Sequence, residues 1–129
     1  MKIVDFNNGI KGKIPNDWKS ETSDDVVSLY EPDNGVGALQ LSFYNIDNAP
    51  SIELSKELES YLGDKHEKII VKIIDGRAYS DIEDEDGIYW QYWLFLKDTT
   101  VIFVSYNCDK SDKGIEDPVV KEIISSIGL

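Results

Sequence analysis

GIYWQYWLFLKDTTVIFVSYNC, residues 87–108, holds the longest apolar runs of the chain and two of its three tryptophans. Two strand-like runs, residues 88–96 and 100–108, flank the polar Lys97-Asp98-Thr99, a hairpin connection of ordinary length. Successive strand side chains point to opposite faces, so Ile88, Trp90, Tyr92, Leu94 and Leu96 share one face while Tyr89, Gln91, Trp93 and Phe95 share the other. Neither set is polar. The second run behaves alike, with Ile102, Val104, Tyr106 and Cys108 opposite Val101, Phe103, Ser105 and Asn107. A sheet with one wet side alternates apolar with polar residues, whereas strands apolar on both sides belong inside a covered sheet. The hairpin is therefore expected at the middle of a sheet, with a cover on each face that the rest of the chain must supply.

Working outward, Pro118 stands where the first turn of a last helix would begin, and Val120, Ile123, Ile124 and Ile127 give that helix an apolar stripe ended by Gly128. Toward the N-terminus, the acidic loop 83–87 follows a strand at 77–82, which the turn Asp75-Gly76 joins to another at 68–74. A first helix is expected to open at Pro50-Ser51, to bury Leu54, Leu58, Tyr61 and Leu62, and to stop at Gly63. Before it come strands at 10–14, 25–31 and 37–44, with a short edge segment at 3–6 and a strong turn at Pro32-Asp33-Asn34-Gly35. Gly37 and Ala38 signal a close approach by a packed neighbour, and Trp18 is read as a plug at one end of the core. The class predicted is α+β: an antiparallel or mixed sheet of about six to seven strands with two helices packed on it, in the order βββ-α-ββββ-α. One domain spanning residues 1–129 is expected, since no repeat, low-complexity tract or linker interrupts it.

Composition narrows the function classes. Hydrophobic content of 41% and aromatic content of 11% are those of a folded globular chain. The opening has no long apolar stretch and no run approaches the ~20 apolar residues of a membrane helix, so a cytoplasmic protein is expected. The single Cys108 agrees with a reducing compartment. With 25 acids against 13 bases, the formal net charge is -12. Such a field repels phosphate backbones and anionic lipid, which argues against nucleic acid and membrane and in favour of a basic protein partner. The acids are also clustered. No Lys or Arg occurs between Ser20 and Ser55, and Asp81, Glu83, Asp84, Glu85 and Asp86 form a second patch.

Residues that carry chemistry are sparse. His66 and Cys108 have no companions at metal-ligand spacing, so no metal is expected. Reading Gly87 as the sixth position of a calcium loop would put Ile82 first and Trp93 last, where carboxylates are required. His66 is read as an exposed residue of a polar loop and Cys108 as a small buried hydrophobe, which leaves no nucleophile beside an oriented base. No glycine-rich phosphate loop occurs, and no cofactor is expected.

The run Gly12-Lys13-Ile14-Pro15-Asn16-Asp17-Trp18, the strand ending Tyr30-Glu31-Pro32 and the following Gly37-Ala38-Leu39-Gln40-Leu41-Ser42 resemble the opening of proteins with the PsbP-like fold. The close is similar too, with Phe103-Val104-Ser105-Tyr106-Asn107 and a last helix ending Ile123-Ile124-Ser125-Ser126-Ile127. That superfamily holds photosystem extrinsic subunits, a nuclear factor that binds the Ran GTPase, and bacterial effector chaperones. The resemblance implies binding without catalysis and carries over no site residue. We therefore expect a non-enzymatic binding module, such as an immunity protein or effector chaperone, for a basic or partly apolar protein. Its candidate surface is the aromatic hairpin, Tyr89, Trp90, Tyr92 and Trp93, with the acids Asp81, Glu83, Asp84, Glu85 and Asp86 around it. The alternatives are a pocket for a small apolar ligand between sheet and helix, and a hydrolase built on two carboxylates.

Overall fold

The computed structural model describes residues 1–7, 9–46, 52–63, 65–66 and 68–128. It contains β1 (Lys2–Asn7), β2 (Ile10–Ile14), β3 (Lys19–Ser23), β4 (Val26–Tyr30), β5 (Gly37–Asn45), α1 (Leu54–Gly63), β6 (Lys72–Ile74), β7 (Arg77–Glu83), β8 (Ile88–Lys97), β9 (Thr100–Asp109) and α2 (Asp117–Ser126). Seven strands form one antiparallel sheet in the order β3-β4-β5-β9-β8-β7-β6, and β1 pairs with β2 as a separate two-stranded ribbon. The aromatic hairpin β8–β9 lies inside the sheet, flanked by β7 and β5. The class is α+β, as the sequence pattern implied.

Two faces follow from the register. Tyr89, Trp93, Phe95, Ile102, Val104 and Tyr106 join Val27, Leu29, Leu39 and Leu41 on one side, under α2 and the β1–β2 ribbon. Tyr92, Leu94, Val101 and Ala78 lie on the other, where Leu58 and Leu62 of α1 are fully buried against them. Each aliphatic side chain buried this way is worth about 1.5–3 kcal/mol. The cover on the α2 side is stitched together by polar bonds. Ser126 Oγ accepts from the Lys13 amide at 2.7 Å and donates to the Ile123 carbonyl at 2.6 Å, while the Gly128 amide reaches the Lys11 carbonyl at 2.8 Å. At the other end of α2, the Tyr106 hydroxyl donates to the buried Glu116 at 2.7 Å. Trp18 is 4% exposed within this core, the plug its surroundings called for.

The structure departs from the sequence reading in identifiable places. Five strands precede α1 rather than three and an edge segment, because β3 was not expected. Its sequence KSETS has no apolar residue and all five side chains are exposed. It forms through a two-residue turn at Asp24-Asp25, both with positive φ, the conformation that matches strand twist. The expected strand 68–74 is regular only over Lys72–Ile74, at the sheet edge, where Ile73 and Ile74 are largely exposed. Residues 68–71 hang instead on a bond from the Ser80 hydroxyl to the Ile70 carbonyl, 2.9 Å. The β8–β9 connection is two residues, since Lys97 and Thr100 pair. The expected helix start at Pro50-Ser51 lies outside the described residues. At Gly37 the close approach is real: a Cβ there would run into the Asn107 carbonyl and the Tyr106 ring.

Candidate functional site

Helix α1 packs mainly on β7 and β8, and its Tyr61 also meets Phe103 of β9 and the Tyr44 hydroxyl at the end of β5, so among the described residues the part of this face without a helix is β3, β4 and residues 38–42 of β5. A sheet of seven strands is about 29 Å wide at 4.8 Å per strand, and one helix about 10 Å thick shields two or three of them. The chain therefore makes that half compatible with water. Along β4 and β5 this side carries Val26, Ser28, Tyr30, Ala38, Gln40 and Ser42, with Tyr44 beside Tyr61 of α1, while Val27, Leu29, Leu39 and Leu41 are buried on the reverse.

Where the open half meets α1, a groove of about 400 Å³ is floored by Gln40, Ser42 and Ser105 and walled by Trp90, Tyr92 and Phe103. The Trp90 and Tyr92 rings are stacked 5.8 Å apart with 3° between their planes, and Tyr92 stacks on Phe103 at 6.0 Å. Phe103 continues to Tyr61 of α1 at 5.3 Å, so a ladder of rings joins the groove to the helix. Trp90 is half-buried and is fixed by its indole N–H, which donates to Asp84 at 2.9 Å.

Asp84 organises the loop before β8. Its other oxygen accepts from the amides of Asp86 at 2.9 Å and Ile88 at 3.0 Å. The Ile88 amide and the Trp90 indole hold its carboxyl below the usual carboxylate range, so it stays ionised at the groove rim. His66 is the residue the sequence reading placed wrongly. It is half-buried over Tyr92, ring centroids 5.8 Å apart, with its Nε2 3.0 Å from the Tyr92 hydroxyl. Burial lowers its pKa despite the nearby Asp84 charge, which leaves it neutral at pH 7. Burial, with Asp84 second, pushes the Tyr92 phenol up to about 12. Lys65 also stands on this rim, 5.9 Å from the Phe103 ring centre.

The nine candidate residues are thus divided between two faces. Trp90 and Asp84 meet on the open α1 side, with Tyr92 beneath them at 2% exposure. Tyr89 at 4% and Trp93 at 7% are core residues of the α2 side, where the Tyr89 hydroxyl donates to Asp81 at 3.0 Å. Glu83 faces Lys113 at 3.4 Å on the surface, and Glu85 and Asp86 are exposed. Of the four aromatic candidates Trp90 is the partly exposed one, and Phe103, which was not among them, is partly exposed beside it. Cys108 is buried, and burial raises its thiol pKa. Among the described residues no three His, Cys, Asp or Glu side chains converge as metal ligands.

No family model matches the chain, and no curated protein matches it. Solved structures do. The solution structure of cyanobacterial PsbP (CyanoP) from Synechocystis sp. PCC 6803 superposes with a TM-score of 0.64 at 10% identity, over 98% of this chain and 90% of that one. The chain has the PsbP-like fold. A crystal structure from Bacteroides thetaiotaomicron VPI-5482 matches with a TM-score of 0.62 at 14% identity, and this PsbP-like chain covers 92% of its own length but 44% of that protein. At such identities the likeness is one of fold, so the groove has to be interpreted from its own chemistry.

Proposed function

We propose that this chain is a non-enzymatic protein-binding module, and that the open half of the α1 face is the surface that holds a basic, partly apolar protein. One observation carries the reading: the half-sheet that α1 leaves bare is the part built from the segment without lysine or arginine. Strands β4 and β5, and β3 from Ser20 onward, belong to that segment. Glu21 lies on this side, accepting from the Tyr30 hydroxyl at 2.6 Å, and Asp24 and Asp25 project at the end of the β3–β4 hairpin. On the opposite flank stand Asp84, Glu85 and Asp86. Between the two acidic margins Trp90 and Phe103 supply apolar ring surface of the kind that anchors interfaces. Lys19, Lys65 and Lys68 are cations at the borders, outnumbered by these acids.

The margins steer a cationic partner and the rings hold it, so salt acts mainly on the association rate. An immunity protein that blocks a basic toxin, or a chaperone of a secreted effector, would work this way in the cytoplasm. Among the described residues no helix is long and apolar enough to cross a membrane.

The test is affinity capture from the native host by the wild-type chain and by a Gln40→Arg, Ser42→Arg variant, at low and high salt. The expected result is a discrete basic protein, retained by wild type at low salt, weakened at high salt and lost by the variant. Equal retention of the same protein by the variant would remove the open half-sheet from the account. Equal retention at both salt concentrations would remove the electrostatic part.

A further inference from the structure

The seven-stranded sheet ends in two unlike edges. At one lies β3, Lys19-Ser20-Glu21-Thr22-Ser23, with no apolar side chain and all five exposed. At the other, β6 closes the run Lys68-Ile69-Ile70-Val71-Lys72-Ile73-Ile74, in which Ile70, Ile73 and Ile74 are 76%, 57% and 47% exposed. These are three of the seven large hydrophobic side chains left exposed among the described residues. An open edge lined by polar residues resists pairing, whereas an apolar one is a template for another strand.

The backbone determines which groups such a strand would meet. The two-residue turn Asp75-Gly76, both at positive φ, folds β6 onto β7 with Ile74 opposite Arg77 and Lys72 opposite Tyr79. Residues that close such a turn bond to each other, so Ile74 and Lys72 direct their amides and carbonyls inward. The Ile70 carbonyl is also directed inward, where the Ser80 hydroxyl donates to it at 2.9 Å. Alternation then leaves the backbone groups of Ile69, Val71 and Ile73 facing outward. The Ile69 and Val71 side chains pack against the core on the α1 side, which holds the segment along the sheet.

A second copy of this chain fits that edge in one register. Antiparallel self-pairing must set outward residues opposite outward residues, which places the two-fold axis perpendicular to the sheet. Centring the axis on Ile70 would oppose Lys68 to Lys72, and centring it on Lys72 would oppose that lysine to itself. Centring it on Val71 does neither. Ile69, Val71 and Ile73 then meet Ile73, Val71 and Ile69 of the second copy on the α1 side, while Lys68 and Lys72 meet Ile74 and Ile70 on the other.

Charge and area agree with this. Residues 68–74 hold two lysines and no acid, and the acidic β3–β4 hairpin lies at the far edge, about 29 Å away at 4.8 Å per strand. Asp75 and Asp81 stand beside the edge rather than in it, so the repulsion left between two chains of net charge -12 is of the kind that salt screens. An edge about 23 Å long offers a strip of roughly 500 Å² on each copy, about 1,000 Å² in all, at the low end for specific association.

We infer that the chain forms a two-fold dimer in which β6 pairs with β6 of a second copy about Val71, joining the two sheets into one. Both α1 helices then lie on the same side of the joined sheet. The inference uses the edge opposite the lysine-free half and does not depend on the protein-partner reading.

Sedimentation equilibrium of the full chain from about 1 μM to 1 mM should show a reversible dimer with a Kd of about 10–100 μM. Added salt should tighten it, the reverse of its effect on a basic partner. Ile73→Lys, at an exposed position, should raise the Kd about tenfold or more while keeping the wild-type urea midpoint at micromolar concentration. Disulfides formed in a glutathione buffer read the register, the natural Cys108 being buried. Val71→Cys should cross-link to itself, since a bonded pair sets the Cα atoms about 5.5 Å apart. Ile70→Cys and Lys72→Cys should each stay monomeric alone and cross-link when mixed, because they oppose each other only across the dimer. A monomer throughout the range, an Ile73→Lys variant that dimerises as well as wild type, or self-linking of Ile70→Cys or Lys72→Cys would overturn the proposal. So would a Val71→Cys chain that stays monomeric yet links to a different protein in the native host, which would assign the edge to that protein.

Discussion

Strands β4 and β5 show two opposite solutions to the same problem. Toward α2 and the β1–β2 ribbon they present Val27, Leu29, Leu39 and Leu41, all with no exposed surface. Toward α1 the same strands present Val26, Ser28, Gln40 and Ser42, over which no helix passes among the described residues, the helix reaching β5 only at Tyr44. In β8, two strands away, both sides are apolar, because α1 reaches that far. The cover available on each side, rather than strand propensity, thus decides which positions are free for binding. The α2 side has a helix and a ribbon and needs an apolar lining almost everywhere. The α1 side has one ten-residue helix and leaves half its area for other use.

Adjacent residues of β5 give the sharpest way to break this contrast. Leu39→Ala should cost about 2–5 kcal/mol in urea unfolding, while Gln40→Ala should stay within about 0.5 kcal/mol. Similar costs at both positions would mean that the bare half-sheet is covered after all. Next in size, Tyr106→Phe strands Glu116 in the α2 side without its partner and should cost about 1–3 kcal/mol, measured the same way. A change near zero would show that this bond does not tie α2 to β9.

A smaller effect sharpens the comparison through pH. Tyr92 holds its proton more tightly when folded, about 12 against an ordinary 10.0, so its contribution is intact below pH 10 and is lost as pH rises from there toward about 12. His66 has the opposite sign: its folded pKa is lowered, so its contribution is present above the ordinary 6.5 and is lost as pH falls below it. The Tyr92→Phe variant should show a shallower alkaline fall in urea midpoint than wild type, and a His66→Phe variant a shallower acid fall. Profiles parallel to wild type would place both side chains in water.

The central position of β8–β9 was readable from sequence because both faces of both strands are apolar, a local property of residues 88–108. The separation of the faces was readable too, since Val27, Leu29, Leu39 and Leu41 alternate with polar neighbours. What the sequence could not show was how far each cover extends. The aromatic residues of β8 were offered as one surface, but the period of two sends Tyr89 and Trp93 beneath α2 and leaves Trp90 with Tyr92 on the other side. β3 was missed because it has no apolar residue and an Asp-Asp turn in place of the usual glycine-bearing one. His66 was missed for a different reason, because it meets Tyr92 from 26 positions away and no local pattern encodes that meeting. Gln91 was visible as the polar exception in an apolar strand face, and it is buried there with its amide bonded to the Tyr79 hydroxyl.

The account rests on the open half of the α1 face as the docking surface for a protein, and site-directed photo-crosslinking in the native host addresses that most directly. A benzophenone side chain placed at Gln40, exposed in the middle of the bare half-sheet, should yield one discrete protein adduct, whereas the same group at Lys56, exposed on α1, should yield none. An adduct from Lys56 alone, or none from Gln40 while a partner is still captured, would contradict it.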